Sequence, residues 1–270
     1  MRKGLAPARI GALAEAALLD ELDTWPKPGL VTPRDRGSHV DMDHALLAAS
    51  ARVLRPFFAS LAEAGAAGAG LDALRRIGRA AEAAMLAATD GVNTHRGAIF
   101  SIGLLTAAAG SGRGHPAPGG LGTVVRRLWG PALLAAPAPR GTHGAGARRR
   151  HGAAGALIEA AHGFSSIYQV GLPALRDARE AGKVAARVQA CFALIATIED
   201  TNLLHRGGAE GLAYARGAAA SFLAAGGVRA PGWLARAEAV HADFVARRLS
   251  PGGSADLLAA TLFVDRMECA

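Results

Sequence analysis

The chain has 270 residues, of which 51% are hydrophobic and 19% charged, and its formal net charge is +8. This composition excludes intrinsic disorder, which requires low hydrophobicity and high net charge, and the length suffices for one domain with a packed core. Charged residues interrupt every apolar run before the roughly 18 residues that a spanning helix needs. Glu15, Asp20 and Glu21 argue against a secretory signal peptide. Because Cys191 and Cys269 cannot form a disulfide framework, we expect a cytoplasmic protein.

The positive charge comes almost entirely from arginine, with 27 Arg and 3 Lys against 22 Asp and Glu. A basic protein favours a partner with dense negative charge, such as nucleic acid, an anionic membrane surface or a polyphosphate. Nucleic-acid binders usually add a recognisable module or clustered aromatic residues. Aromatic residues make up only 5% of this chain. Composition therefore disfavours nucleic acid and leaves the anion unnamed.

Apolar residues recur every three or four positions along nearly the whole chain, which predicts an all-α fold. The clearest apolar face, in 182–199, is formed by Val184, Val188, Cys191, Ile195 and Ile198. The predicted helices cover 5–22, 43–62, 70–88, 97–109, 121–135, 182–199, 208–225, 233–249 and 254–267. The segment FSSIYQV at 164–170 could form a short strand, but no other segment offers it a partner.

Segments rich in proline and glycine separate these helices. They occupy 24–40, 89–97, 136–147 and 250–254. The low-complexity segment before Arg148–Arg150 predicts a flexible connection at about 136–148. We therefore predict a single compact multi-helix domain over 1–270, with its ligand site built from loops at helix ends.

The first polar segment, 24–44, reads TWPKPGLVTPRDRGSHVDMDH. The two prolines that flank Lys27 restrict the backbone, which predicts an ammonium held in a rigid turn. Asp41 and Asp43 lie two residues apart at a loop-to-helix junction, where they could share a divalent cation. The alternative, which is the more frequent role for such a pair, is that one of them caps the next helix.

The second polar segment is GVNTHRG at 91–97, directly before an apolar helix. Backbone N–H groups at a helix start, with Arg96 beside them, favour an anion. Asn93 and His95 either cap this helix or contact a ligand, and the spacing does not decide between these alternatives. Glu82, on the preceding helix, is expected to be solvated.

The third polar segment is IEDTNLLHRGG at 198–208. If the preceding helix continues, Glu199, Asn202 and Arg206 project from one face, while Asp200 points about 100° away. The two glycines after Arg206 predict a break there. These polar residues form either an exposed stripe of salt bridges or a ligand site at the end of a buried helix. The apolar run before them favours the ligand site.

The fourth polar segment is SPGGSADLLAATLF at 250–263. Ser254 is predicted to be the N-cap of a helix whose first turn contains Asp256. Gly252 and Gly253 expose backbone N–H groups just before it, an arrangement that can bind phosphate. Helix capping and phosphate binding can both hold here.

Two further polar residues are assigned no chemistry. Cys191 lies in an apolar helical stripe, where cysteine acts as a small inert hydrophobic residue. His241 is expected on an exposed helix.

The ordered segments carry more information together than separately. They are PKPGLV at 26–31, SHVDMD at 38–43, GVNTHRGAIF at 91–100, EDTNLLHRGG at 199–208 and SPGGSADLLA at 250–259. In this order they resemble the triphosphoribosyl-dephospho-CoA synthase family, whose central segment is similar to 151–175. The resemblance extends roughly from Leu18 to Phe263. Trp25 before PKPG and the single-domain layout are closer to the malonate decarboxylase branch than to the citrate lyase branch. Asp90 departs from the family pattern, which usually has glycine there.

The resemblance implies an enzyme that transfers the 5-triphosphoribosyl group of ATP to the 2′-hydroxyl of 3′-dephospho-CoA and releases adenine. The product is the precursor of a prosthetic group for an acyl-carrier subunit, and a carrier-protein transferase would receive it. Mg²⁺ is expected with ATP. A homo-oligomer is left open, and neither nucleic acid nor a membrane is expected as a partner.

The same resemblance suggests roles for the polar residues. Substitution at an anomeric carbon requires carboxylates near the ribose, and a triphosphate requires Mg²⁺ and cationic or N–H donors around its oxygens. Mg²⁺ would be held by Asp41, Asp43 and Asp256. The phosphates would contact Lys27, Arg96, Arg206 and the N–H groups of Gly252 and Gly253, with His39, Asn202 and Ser254 as further substrate contacts. Glu199 or Asp200 would be the base or would stabilise positive charge at the ribose, and His95 or Asn93 would orient the nucleoside. Metal and base roles could be exchanged.

Two other classes of function stay open from sequence. One is an all-α N-glycosidic hydrolase, in which water replaces dephospho-CoA. The other is a helical nucleotide-binding module without activity.

Overall fold

A computed structural model describes residues 5–112, 120–135 and 155–269. Within these ranges the chain is helical and contains no strand, which confirms the all-α prediction. The helices, in chain order, are α1 Pro7–Leu22, α2 His44–Ala66, α3 Leu71–Ala88, α4 Arg96–Gly110, α5 Gly120–Ala135, α6 Gly155–Ala161, α7 Leu172–Asp177, α8 Lys183–Thr197, α9 Thr201–Ala224, α10 Trp233–Ala246 and α11 Gly252–Cys269. The predicted connection at about 136–148 lies outside the described residues.

Helix α4 lies at the centre of the fold because almost every one of its side chains is apolar or small. It packs against α1, α2, α3, α5 and α11, and ten of its residues are buried. Helix α11 packs against α1, α4, α8 and α9. The starts of α4, α9 and α11 meet in this packing, and polar side chains of the signature segments lie there.

The segment 164–170 is not a strand. It forms part of a helical stretch with a π-helical turn at Ile167–Gly171. Phe164 and Ile167 are both buried. Phe164 precedes the helical stretch with a φ of 59°, and its carbonyl accepts the N–H of Ile167. Helical hydrogen bonds satisfy the backbone that follows without a partner strand.

One helix in the described part of the chain, α2, is long and apolar enough to cross a membrane by length and composition alone. This is weak evidence for a span, because the core helix of a bundle passes the same test. Helix α2 packs against α1, α3 and α4, and it carries the exposed Arg52 and Arg55.

Two helix boundaries near the polar segments differ from the predictions. The helix predicted over 182–199 ends at Thr197, and α9 begins at Thr201 with Asp200 as its N-cap. The predicted break after Arg206 is confirmed as a kink at Gly208, whose φ of 63° and ψ of −162° favour glycine.

Candidate active site

Asp200 joins the starts of two helices through one buried carboxylate. Its Oδ1 accepts the N–H groups of Asn202 and Leu203 at 2.9 and 3.3 Å, which caps α9. Its Oδ2 accepts both the N–H and the hydroxyl of Ser254, at 2.7 and 2.9 Å, in the first turn of α11. Burial raises the pKa of Asp200, and these hydrogen bonds oppose the rise. Both carboxylate oxygens are therefore engaged by protein donors.

Asp256, two residues further into α11, lies against the start of α4. It accepts the N–H of Ala98, and a Cβ atom placed on Gly97 would lie 1.9 Å from Asp256 Oδ2. Only glycine at position 97 leaves room for this carboxylate. Asp256 is half-buried, and its pKa is raised well above the usual value by burial, by Asp200 and by Glu21.

Lys27 lies in a turn, where its carbonyl accepts the N–H of Leu30, and its ammonium points into the protein. The residue is 1% exposed, and its Nζ lies 2.5 Å from Oε1 of Glu21 at the end of α1. Glu21 is 5% exposed and was not predicted as a site residue. A carboxylate in the last turn of an amphipathic helix usually faces solvent, so the sequence offered no signal for this contact.

His95 immediately precedes α4 and is also buried. Its Nδ1 lies 2.8 Å from Oγ of Ser50, which also bonds the Thr94 hydroxyl at 2.7 Å. Its Nε2 is buried without a hydrogen-bond partner in the described residues. Burial and then the positive charge of Lys27 lower the pKa of His95 to about 4. A neutral imidazole with one free ring nitrogen can bind a neutral ligand group.

These five residues form one group, which we call the inner cluster: Glu21, Lys27, His95, Asp200 and Asp256. It contains three carboxylates, one ammonium and a neutral imidazole. The cluster contains more acid than base, and Asp256 is its most accessible member.

A second group lies nearer the surface, which we call the outer cluster: Ser38, His39, Arg206 and Ser250. The Arg206 guanidinium donates to the Ser38 carbonyl at 3.1 Å and lies 3.3 Å from Nδ1 of His39. His39 Nε2 lies 2.8 Å from Oγ of Ser250. Burial lowers the pKa of both His39 and Arg206. Within the described residues, no carboxylate is hydrogen-bonded to Arg206, although Asp41 lies near it.

Asp41 and Asp43 differ in what they contact. Asp43 is the N-cap of α2, as the capping alternative predicted, with its Oδ1 3.0 Å from Leu46 N and its Oδ2 3.1 Å from Arg36. Asp41 is exposed, with Oδ1 3.6 Å from Nδ1 of His39. Both line an open cavity of about 390 Å³. Among residues 5–112, 120–135 and 155–269, no group of three or more His, Cys, Asp or Glu side chains could hold a metal ion. The predicted trio of Asp41, Asp43 and Asp256 is therefore not gathered into a metal site.

The glycines of the fourth segment begin α11 instead of preceding it. Ser254 is consequently not the N-cap, and its hydroxyl binds Asp200. A Cβ atom on Gly253 would lie 3.1 Å from Asp200 Oδ1, and one on Gly252 would lie 2.7 Å from Nδ2 of Asn202. The carboxylate of Asp200 thus already lies at the helix start that was predicted to bind phosphate.

In the second polar segment, 91–97, the structure supports the capping alternative in part. Asn93 is exposed, and its Oδ1 accepts the N–H of Arg96 at 3.2 Å. The Arg96 guanidinium pairs with Glu82, so Glu82 is not simply solvated. Nε of Arg96 is buried without a partner in the described residues. Arg96 therefore keeps one donor for a ligand.

Three further predictions are tested by burial. Glu199 is exposed and, because α8 ends before it, does not share a helical face with Arg206. Cys191 is buried, and burial raises its pKa to about 12, which confirms an inert thiol. His241 is also buried, contrary to expectation, with Nδ1 2.7 Å from the Lys27 carbonyl and Nε2 3.2 Å from Asp35.

Comparison with known proteins gives consistent matches over nearly the whole chain. Residues 7–270 match the family described as "ATP:dephospho-CoA triphosphoribosyl transferase". The chain is 44% identical over 271 residues to a protein of Stutzerimonas stutzeri named as a probable 2-(5''-triphosphoribosyl)-3'-dephosphocoenzyme-A synthase, covering 97% of this chain and 92% of the relative. Proteins with the same name from Azotobacter vinelandii and Pseudomonas syringae are 43% and 40% identical, each over 96% of this chain and 91% of the relative. No solved structure gives a significant match.

Proposed function

Because the chain belongs to the ATP:dephospho-CoA triphosphoribosyl transferase family, we propose that it catalyses this transfer with its inner cluster as the reaction centre. The 2′-hydroxyl oxygen of 3′-dephospho-CoA forms a bond to C1′ of the ATP ribose while the C1′–N9 bond breaks. Adenine leaves with the electron pair and takes up a proton. The proton of the attacking hydroxyl passes to a base of the enzyme.

The position of Asp256 is the observation that carries this proposal. Substitution at an anomeric carbon develops positive charge on the sugar, which nearby carboxylates stabilise, and a carboxylate can accept the hydroxyl proton. Asp256 is half-buried at the start of α4, with the negative charges of Asp200 and Glu21 close enough to raise its pKa. A raised pKa brings a carboxylate nearer to the value at which proton transfer is most efficient. We therefore assign Asp256 as the base.

Asp200 has a different role in this proposal. Its four hydrogen bonds to Asn202, Leu203 and Ser254 occupy both oxygens. We propose that it holds the starts of α9 and α11 together and so fixes Asp256. The exposed Glu199 has no role in the proton transfer we propose.

The two ends of ATP are proposed to lie in the two clusters. The free Nε2 of His95 would bind the nucleoside, since the inner cluster has more negative than positive groups and disfavours phosphate. Arg206 and His39 would bind phosphate oxygens, with the unpartnered Nε of Arg96 as a further donor. Lys27, held inside by Glu21, is not assigned to phosphate.

Mg²⁺ is proposed as part of the ATP substrate. The described residues do not fit an ion held by three carboxylates, since Asp43 already caps α2 and pairs with Arg36. Mg²⁺ usually retains waters and binds through one or two carboxylates plus substrate phosphates. The exposed Asp41 is available for such a contact, and no step of the reaction is assigned to the metal.

We further propose that the product serves malonate decarboxylase, on the basis of Trp25 and the single-domain layout. A cytoplasmic location and delivery to a carrier-protein transferase belong to the same proposal. Because both branches make the same product, the branch is tested by disrupting the gene and assaying malonate decarboxylase and citrate lyase in cell extracts, where we expect malonate decarboxylase activity to be lost. Loss of citrate lyase activity with malonate decarboxylase unaffected would contradict the proposed branch.

The reaction is tested by incubating the protein with ATP and Mg²⁺, with and without 3′-dephospho-CoA. Adenine is quantified by chromatography and the ribosylated product by mass spectrometry. We expect adenine and product in equal amounts, and only when dephospho-CoA is present. Adenine formed equally without the acceptor would indicate a hydrolase, and ATP binding without any adenine would indicate a binding module.

A further inference from the structure

The ion pair between Glu21 and Lys27 is an unusual feature for the core of this fold. Both residues are almost completely buried, at 5% and 1% exposure, and the Oε1–Nζ distance is 2.5 Å. The rest of the buried face of α1 is apolar or small, including Leu18 and Leu22. Apolar side chains of similar volume often stabilise a core as well as or better than a buried ion pair. Stability alone therefore does not account for these two charges.

Lys27 is fixed at both ends. Its ammonium is held by Glu21, and its backbone carbonyl lies 2.7 Å from Nδ1 of His241. His241 is itself buried, with Nε2 3.2 Å from Asp35. A lysine normally samples many rotamers, but these contacts leave the ammonium one location.

That location is beside the reaction centre. The Lys27 charge acts on His95, whose Nε2 has no partner in the described part of the chain. The Glu21 charge acts on Asp256. Glu21 thus connects α1, which contains none of the predicted site residues, to both groups that the proposed reaction uses.

We propose that Glu21 is a positioning residue of the transferase: its carboxylate fixes the Lys27 ammonium beside His95, which leaves Nε2 of His95 free to bind the nucleoside of ATP. This inference rests on the proposed function. Without Glu21, the buried ammonium would lose its partner and would move or lose its proton. The imidazole would then lose the fixed positive charge that adds to burial in lowering its pKa.

The first test is Glu21→Gln, assayed by adenine release over a range of pH. We expect kcat to fall on the order of 10²-fold, as for a small displacement of a reacting group, and the KM for ATP to rise, because His95 binds the nucleoside. An unpaired buried lysine has a lowered pKa, so the decline of kcat at high pH should move to lower pH. A pH profile of unchanged shape would overturn the proposal.

The second test separates this role from a role in folding. The double variant Glu21→Leu/Lys27→Met replaces the pair by apolar side chains. We expect its thermal unfolding to stay close to that of the wild type, because the buried charges are removed together, while kcat falls as in Glu21→Gln. A double variant that keeps wild-type kcat overturns the proposal. So does one that unfolds far below the wild type, because the pair would then be a folding element.

The matched control is Asp20→Asn, one residue away on α1. Asp20 pairs with Arg187 and Arg266 and is only half-buried. We expect a small loss of stability and an unchanged kcat. If the wild type itself releases no adenine with both substrates, the proposed function fails, and the positioning role fails with it. If the wild type is active and the double variant is too, only the positioning role fails.

Discussion

The inner and outer clusters share three segments, to which the inner cluster adds Glu21 and His95, yet the two clusters differ in charge and burial. The segment 24–44 contributes Lys27 to the inner cluster and His39 to the outer one. In the same way, 198–208 contributes Asp200 inside and Arg206 outside. The segment 250–263 contributes Asp256 inside and Ser250 outside. Each segment therefore spans both clusters, and 198–208 runs from the carboxylate of Asp200 inside to the guanidinium of Arg206 outside.

This division matches the two ends of the proposed substrate. Carboxylates stabilise positive charge that develops at C1′ of the ribose, whereas guanidinium groups bind phosphate oxygens. Because the two clusters share segments, displacement of one should displace the other. Substitutions in each cluster test whether the inner cluster acts at the ribose and the outer cluster binds phosphate.

The largest expected effect is that of Asp256→Asn on the inner cluster. An amide cannot accept the hydroxyl proton, so we expect kcat for adenine release to fall about 10²- to 10⁴-fold. Stability should not fall, because the change removes a negative charge beside Asp200 and Glu21. The control is Asp265→Asn, on the same helix, where the carboxylate forms surface ion pairs with Arg176 and Arg179. Similar losses of kcat in both variants would contradict the assignment.

Asp200→Asn should, in contrast, mainly lower the stability of the protein. Asparagine cannot accept all four hydrogen bonds at the starts of α9 and α11, so we expect a loss of about 3 kcal/mol in the free energy of unfolding. Urea denaturation measures this loss directly. A stable Asp200→Asn protein with low kcat would instead make Asp200 the base.

The helices of this arrangement can be predicted from sequence, whereas the contacts between residues far apart in the chain cannot. Apolar spacing within each segment predicts the helices, because that information is local. The contact between Asp200 and Ser254 joins residues 54 apart in sequence, so no local pattern contains it. Glu21 looks like an ordinary charged residue at the end of an amphipathic helix until the Lys27 loop folds over it.

The pH dependence of stability tests the burial of His95. Its pKa is about 4 in the folded protein and ordinarily 6.5, so between these values the unfolded chain binds a proton that the folded one does not. This group's contribution to stability is therefore lost as pH falls from 6.5 towards 4, by about 2 kcal/mol between pH 7 and 5. The buried carboxylates, whose pKa values are raised, act in the opposite direction. Comparison of wild type with His95→Gln in urea at both pH values isolates the histidine, and equal pH dependence would refute its burial as a neutral group.

Arg206→Ala tests the outer cluster. Loss of one charge-assisted contact should raise the KM for ATP or for dephospho-CoA about 10-fold, with a smaller change in kcat. Inorganic triphosphate and pyrophosphate as competitive inhibitors would show which substrate loses the contact. Arg247→Ala is the control, because Arg247 is exposed and lies over the ring of Tyr214 at 4.0 Å. Equal effects of the two variants would indicate that Arg206 contributes only general positive charge and no specific contact with a substrate.

The smallest effect is expected at Asp90, which belongs to neither cluster. Its φ is 50°, in the left-handed region that favours glycine. Asp90→Gly relieves this backbone strain and should therefore raise the free energy of unfolding by about 1 kcal/mol. The conformational entropy that glycine adds to the unfolded chain reduces this gain. The neighbouring Gly91 has a φ of 85° and no atom within 4 Å of an added Cβ, so Gly91→Ala should lower stability through conformation alone. If Asp90→Gly changes kcat or either KM, the turn before His95 takes part in catalysis, and the site extends beyond the two clusters.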